Sequence, residues 1–376
     1  MTSAARDDNA IAQLQKHLTG QCPLEEREGS FDMDDTPEEK VLAPFAELNA
    51  AVVWLGSTLI KKWRTADQAA LRSQVWHRRV ARTAIMSGTA AIVLAAAQLS
   101  IKLTLPQLTT AALVLEGVAI AAAVIAVALG LRAKFDRGWL GQRHLAERLR
   151  MLKFRALEQL WCRDHQSWRD WVTQELEKIE GALDFTTIRK WSEGGEVEPE
   201  VLTPMNCDQE DTPAFVAYYS SKRLDFQANY FNRRHEAYKR QTSGWRRHLN
   251  LPLFLASVIC VVAHFGLELS GGNQTPGGVE VGSTWKEALA VWFVALAAII
   301  PVTGLGIRAY FAAFELPRSA SIYAAKYQAL LNVSKHLAEE GDGFGVALRH
   351  VAQVEHFLEH EHREWLRLLL DTEWFL

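Results

Sequence analysis

Apolar residues are concentrated in four segments of the chain, which are separated by long polar stretches. Residues 83–101 form a run of 19 without a charged side chain. As a helix this run would measure roughly 28 Å, about the thickness of the hydrocarbon core of a bilayer. The other segments are residues 108–131, 251–267 and 288–307. The pattern predicts an all-α, polytopic membrane protein with four spans.

The basic residues that flank these segments are distributed unevenly. Twenty-one Lys and Arg residues lie near one set of span ends, whereas the two opposite loops contain one each, Lys102 and Lys286. Because basic residues are retained on the cytoplasmic side of a membrane, this predicts two transmembrane hairpins with both termini in the cytoplasm. The long polar stretches are then cytoplasmic helices.

This reading divides the chain into five regions. Residues 1–69 are predicted to form an acidic N-terminal tail, mobile over residues 25–39, followed by an amphipathic helix at residues 45–63. That helix could lie on the membrane surface or pack on the cytoplasmic helices. The remaining regions are the first hairpin with its cytoplasmic helix extensions (70–160), a cytoplasmic helical region with a central loop (161–240), the second hairpin (241–316) and the C-terminal cytoplasmic helices (317–376). The similar ends of the two hairpins, GLRAKF and GIRAYF, leave open whether they arose by duplication.

Overall composition identifies no soluble partner. The net charge is −3 and the isoelectric point is about 6.5, so nucleic acid is not a predicted partner. The four cysteines are far apart, which is typical of reduced cysteines rather than of a disulfide framework. The sequence contains neither a glycine-rich phosphate loop nor a dinucleotide fingerprint, and we predict no cofactor. No secretory signal pattern is present at the N-terminus.

Residues 356–360 read His-Phe-Leu-Glu-His, the H-x-x-E-H arrangement of inverted zinc peptidases. On a helix His356 and His360 would share a face, but only 16 residues follow, and one straight helix cannot supply a third ligand to its own metal. Val351, Val354 and Leu358 instead recur at the spacing of a core-facing helix. The opposite, solvated stripe is predicted to contain His356, His360, Arg363 and Arg367, interleaved with Glu355, Glu359 and Glu361. We therefore predict no metal site, no catalytic residues and no enzyme.

Glu116 is the one ionisable residue within the second apolar segment. A carboxyl group at this depth is costly unless it faces water or a partner. It could line a pore or carry protons, or it could be satisfied by Gln98, by the neighbouring threonines or by another subunit. Pro301 and Gly304 predict a kink in the fourth segment, which could serve as a gate hinge or simply as a packing feature.

Three helical patterns resemble those of bacterial SLATT-type membrane proteins, the SMODS/SLOG-associating two-transmembrane effectors. Residues 132–156 are similar to their W-x-x-x-R-x-L-A-E-x-L-R pattern, residues 223–240 to a Q-x-x-Y segment, and residues 354–365 to a closing V-E-x-x-L-x-x-E-x-x-x-W helix. The matching positions are Trp139, Arg143, Glu147, Arg150, Gln227, Tyr230, Glu355, Glu361 and Trp365.

The resemblance implies a pore-forming or depolarising effector of the bacterial inner (plasma) membrane, acting in antiviral defence or nucleotide-signalled stress. It also implies a homo-oligomer in the lipid bilayer, with a possible sensor or nucleotidyltransferase partner. This chain differs by having two hairpins and only about 70 residues before the first. The alternatives are a membrane-anchored scaffold for a sensor or enzyme, and a housekeeping ion channel or transporter.

Overall fold

The computed structural model describes residues 3–21, 31–36, 38–133, 135–194, 211–242, 250–271, 284–313, 316–339 and 344–371. Every regular element in this part of the chain is helical, which confirms the all-α prediction. The helices are α1 (Ser3–Gln21), α2 (Glu39–Leu42), α3 (Ala46–Thr104), α4 (Thr109–Ala133), α5 (Phe135–Gln159), α6 (His165–Gly181), α7 (Phe185–Glu193), α8 (Asp211–Tyr219), α9 (Phe226–Thr242), α10 (Asn250–Gly271), α11 (Thr284–Ala313), α12 (Leu316–Glu339) and α13 (Phe344–Asp371). A π-helix, Ser220–Asp225, joins α8 to α9.

The chain separates into two compact units. The helical unit contains Met1–Gln74, Phe135–His235 and Ser321–Glu373, and the apolar unit contains Val75–Lys134 and Glu236–Ala320. Helix α3 is 59 residues long and contributes residues to both units without a break.

The helical unit is built around one large core. The first part of α3 presents Leu48, Val52, Leu55 and Leu59 to it at intervals of three and four residues, the spacing of one helical face. Helix α6 begins at the cap Asp164, whose carboxylate accepts hydrogen bonds from the backbone N–H groups of the first turn. Burial of these faces on a common core holds the helices of the unit together.

In the N-terminal region, the structure resolves where the amphipathic helix packs and corrects the prediction of a mobile tail. The amphipathic helix predicted at residues 45–63 is the first part of α3 and packs on the core of the helical unit. The predicted mobile acidic tail is wrong for the residues between 31 and 38 that the structure describes, because Asp32, Asp35 and Glu38 are buried. Met33 lies between these acids and is buried with them, which explains why the segment is not solvated.

The part of the chain that the structure describes contains three helices that are long and apolar enough to cross a membrane, by length and composition. They are Ala46–Thr104, Pro106–Arg132 and Ala288–Phe311, and a shorter apolar helix covers Pro252–Leu267. Only 11%, 11% and 17% of the residues in their most apolar windows are buried. Large apolar side chains such as Leu113, Val118 and Ile259 are therefore exposed, as in helices that face lipid. These helices are compatible with a membrane protein.

Candidate functional site

The strongest concentration of buried charge in the described chain lies in the helical unit. It begins with the segment at residues 31–38, where Asp32, Asp35 and Glu38 follow one another every third residue. All three are at most 5% exposed. Charged groups are seldom buried unless they are paired, so their partners define the site.

The cations of the site come from two helical elements. Arg150 and Lys153 lie one turn apart on α5, and Lys222 and Arg223 are neighbours on the π-helix. None of the four is more than 4% exposed. In an α-helix the side chains of adjacent residues point about 100° apart. The wider turn of the π-helix changes this angle between Lys222 and Arg223. We call these four residues the cationic cleft.

The two lysines bind the acidic segment directly. Lys153 Nζ lies 2.6 Å from Asp35 Oδ2 and donates to the backbone oxygen of Asp32 at 2.5 Å. Lys222 Nζ lies 2.8 Å from Glu38 Oε1 and 3.6 Å from Asp35 Oδ1. The hydroxyl of Tyr218 also donates to Asp35 Oδ1, at 2.6 Å. Asp35 is therefore the carboxylate at the centre of these contacts.

The two arginines link the cleft to neighbouring helices. Arg150 Nε lies 2.6 Å from Asp32 Oδ2, and its Nη1 donates to both oxygens of Glu147. Glu147 also pairs with Arg143, which reaches Asp67 on α3 at 3.0 Å. A continuous chain of ion pairs thus runs from the acidic segment through α5 to α3.

Arg223 forms the most regular pair in the site, a bidentate contact with Glu355 of α13. Its Nε donates to Glu355 Oε1 at 2.8 Å and its Nη2 to Oε2 at 2.9 Å. Tyr219 donates to the same Oε1 at 2.9 Å. This paired geometry is the one in which an arginine and a carboxylate interact most strongly.

Burial and charge have opposite effects on the carboxyl groups of the site. Burial raises the pKa of Asp32 although Arg150 opposes the change, and burial likewise raises the pKa of Glu38 beside Lys222. Burial would also raise the pKa of Glu147, but Arg143 and Arg150 hold that pKa below its usual range. Asp32 and Glu38 are thus less well stabilised in their charged form than Glu147.

The residues that carry the family resemblance come from three separated parts of the chain, and the structure places them all in the helical unit. Trp139 packs edge-to-face on Trp365, with ring centroids 5.8 Å apart. Glu361 pairs with Lys326, Tyr230 packs against Tyr323, and Gln227 is buried. Arg143, Glu147, Arg150 and Glu355 belong to the ionic network described above.

The predicted stripe on α13 requires a correction. Val351, Val354 and Leu358 are buried, as predicted, but Glu355 is also buried, at 1% exposure, because it reaches Arg223 rather than solvent. His356 and His360 are half-buried. Among the described residues, no three His, Cys, Asp or Glu side chains are grouped so that they could hold a metal ion.

The candidates in the apolar unit have packing partners within that unit. Glu116 accepts a hydrogen bond from the side-chain amide of Gln98, one of the partners considered for it. Pro301 lies inside α11, and a Cβ atom on Gly304 would be 3.5 Å from Leu253, an ordinary contact. Ser100 donates to the backbone oxygen of Val291 at 3.1 Å, which links α3 to α11.

Sequence reasoning missed the acids of the segment and the basic pair Lys222 and Arg223. The signal was present, since Asp32, Asp35 and Glu38 are spaced like one side of a helical turn and Met33 stands among them. A solvated tail has little reason to keep apolar residues between its charges. The pairs of Lys222 with Asp35 and Glu38 join residues more than 180 positions apart in the chain, which no local pattern indicates.

The geometry defines the class of molecule as an all-helical protein with a charge-rich helical unit and apolar helices compatible with a membrane. Comparisons of the chain with protein-family models, curated proteins and solved structures find no match.

Proposed function

We propose that the protein is a non-enzymatic membrane effector that forms or opens an ion-conducting pore, in a bacterial defence or nucleotide-signalled stress system. It is an oligomer with four spans as two hairpins and both termini in the cytoplasm of a bacterial cell. The apolar helices provide the membrane part, and the helical unit keeps the pore closed at rest.

The continuity of α3 is the observation that supports this function best. The helix carries Asp67, which pairs with Arg143 at 3.0 Å, and also Gln98, which binds Glu116 in the apolar unit. A change in the ionic network can therefore be transmitted along one helix to the polar pair among the apolar helices. Packed helices with alternative arrangements are a common means of coupling distant sites.

The test is ion flux through liposomes that contain the purified full-length protein. Removing the Glu116 charge by Glu116→Gln should lower the preference of the pore for cations over anions, measured as a shift in reversal potential. Lys102→Gln is the comparison: Lys102 lies one turn beyond Gln98 near the end of α3, and because it removes a positive charge it should shift the reversal potential in the opposite direction or not at all. An equal effect of both variants would contradict a path past Glu116.

A membrane-anchored scaffold is the second candidate, because the Gln98 contact by itself satisfies Glu116 within one chain. If the protein is a scaffold, neither the wild type nor Glu116→Gln should conduct ions. The helical unit should instead form a stable complex with a sensor or enzyme. Flux and recovery of a defined partner from the same membranes distinguish the two functions.

A further inference from the structure

The two lysines of the cationic cleft depend on the acidic segment for their charge partners. Arg150 has a carboxylate partner on its own helix, Glu147, and Arg223 has one on α13, Glu355. Among the described residues, the carboxylates paired with Lys153 and Lys222 are Asp35 and Glu38, both from the segment. Without the segment the cleft would be a cavity with two unpaired buried ammonium groups, which is a strong attraction for an anion.

The segment fits the cleft imperfectly. The Arg150 contact with Asp32 is an ion pair at 2.6 Å in which neither carboxylate oxygen is aligned for a hydrogen bond. Lys222 also donates to the backbone oxygens of Phe31 and Asp34 at 2.8 and 3.1 Å, which are neutral acceptors. A more compact anion with more oxygens could satisfy the same donors better.

We propose that the cationic cleft is a binding site for a phosphate-bearing ligand, and that residues 31–38 are its intramolecular occupant, displaced when the ligand binds. The groups that face the segment suit phosphate: Lys153 and Lys222 are compact charges, Arg150 presents its Nε, and the Tyr218 hydroxyl adds a neutral donor. The π-helix that places Lys222 and Arg223 in the cleft is a distortion that is frequent at functional sites.

The experiment measures the affinity of inorganic pyrophosphate for the full-length protein in nanodiscs by calorimetry. Glu38→Gln weakens the hold of the segment on Lys222 and should tighten pyrophosphate binding by about tenfold, because less of the protein is in the occupied form. Glu39→Gln is the matched control: it removes the same charge one residue later, but Glu39 is exposed. Its affinity should equal that of the wild type.

A variant of the cleft, rather than of the segment, provides a second test of the same site. Lys222→Gln should abolish pyrophosphate binding, and circular dichroism shows whether the variant is folded. Absence of binding in wild type and in Glu38→Gln would overturn the inference, as would equal affinities in Glu38→Gln and Glu39→Gln. Replacing pyrophosphate with nanodiscs rich in phosphatidate distinguishes a lipid headgroup from a soluble ligand. Because binding is measured without ion flux, the result is independent of pore formation.

Discussion

At the scale of single residues, loss of the bidentate pair of Arg223 and Glu355 should lower the free energy of unfolding more than loss of any other contact described above. Both side chains are at most 2% exposed, and removing one partner leaves a buried charge without compensation. We expect Arg223→Gln to lower the free energy of unfolding of the helical unit by about 3–5 kcal/mol. Urea denaturation followed by tryptophan fluorescence measures this change.

The control for Arg223 is the surface pair of Lys62 and Glu180. These side chains are 43% and 40% exposed and lie 2.6 Å apart. Because water and salt screen such a pair, Lys62→Gln should change the free energy of unfolding by no more than about 1 kcal/mol. A comparable loss in both variants would show that burial is not the decisive factor.

A pair of buried histidines makes the stability of the helical unit depend on pH. His144 Nδ1 lies 3.1 Å from His362 Nε2, and both rings pack against Trp191. Burial lowers the pKa of both, helped by Arg148, while Glu147 on α5 and Glu359 on α13 oppose the change. Both histidines are therefore neutral in the folded protein near pH 5 but protonated in the unfolded chain.

The sign of the pH effect follows from these lowered pKa values. The unfolded chain binds more protons than the folded protein once the pH falls below about 6.5, so stability is lost as the pH decreases. Each histidine should contribute about 1.2 kcal/mol between pH 6 and pH 5. His144→Gln should remove one such contribution and make the dependence on pH less steep. Urea titrations at several pH values test this.

At the scale of helices, Gly306 has the tightest surroundings among the described glycines of the apolar unit. A Cβ atom there would lie 3.1 Å from the Cβ of Thr89 on α3 and closer still to the rest of that side chain. Thr89 is β-branched and donates its hydroxyl to the backbone oxygen of Ile85 at 2.8 Å, so it cannot easily move aside. Gly306→Ala should therefore destabilise the packing of α3 on α11 by about 1–3 kcal/mol.

Gly266 on α10 provides the comparison for Gly306. Beyond the backbone of its own helix and its two chain neighbours, no described atom lies within 4 Å of the position of its Cβ, so Gly266→Ala should leave the unit intact or stabilise it slightly. Thermal unfolding in nanodiscs measures both variants. Adding Thr89→Ala to Gly306→Ala should restore much of the lost stability, and a failure of this rescue would locate the clash elsewhere.

Some features of the helices can be predicted from the sequence, and others cannot. The apolar segments of α3, α4 and α11 are predictable because a bilayer requires long uninterrupted runs of apolar residues. The core face of α13 is predictable from its spacing, but the burial of Glu355 is not, since its partner Arg223 lies 132 residues away. The π-helix also escapes prediction, because local propensity gives no reason for a wider turn at residues 220–225.

At the scale of the whole molecule, the number of spans decides which side of the membrane each part of the chain occupies. The apolar part of α10, Pro252–Leu267, would be roughly 24 Å long, shorter than a bilayer core of about 30 Å. The complete helix has 22 residues, or roughly 33 Å, which is sufficient. The basic residues before α10 and after α11 favour a crossing. We therefore expect α10 to span the membrane.

Cysteine accessibility tests this expectation directly. In a variant whose four native cysteines are replaced, single cysteines are introduced at the exposed positions Gln107, Asp170 and Arg349, which lie between α3 and α4, on α6 and on α13. Four spans predict that an impermeant maleimide added outside intact cells labels Gln107→Cys alone. With three spans, Arg349→Cys would lie on the opposite side from Asp170→Cys and would be labelled as well. That result would place α13 on the opposite side of the membrane from α5 and α6, with which it shares a core, so it would contradict the fold of the helical unit as well as the proposed arrangement in which that unit acts from the cytoplasm.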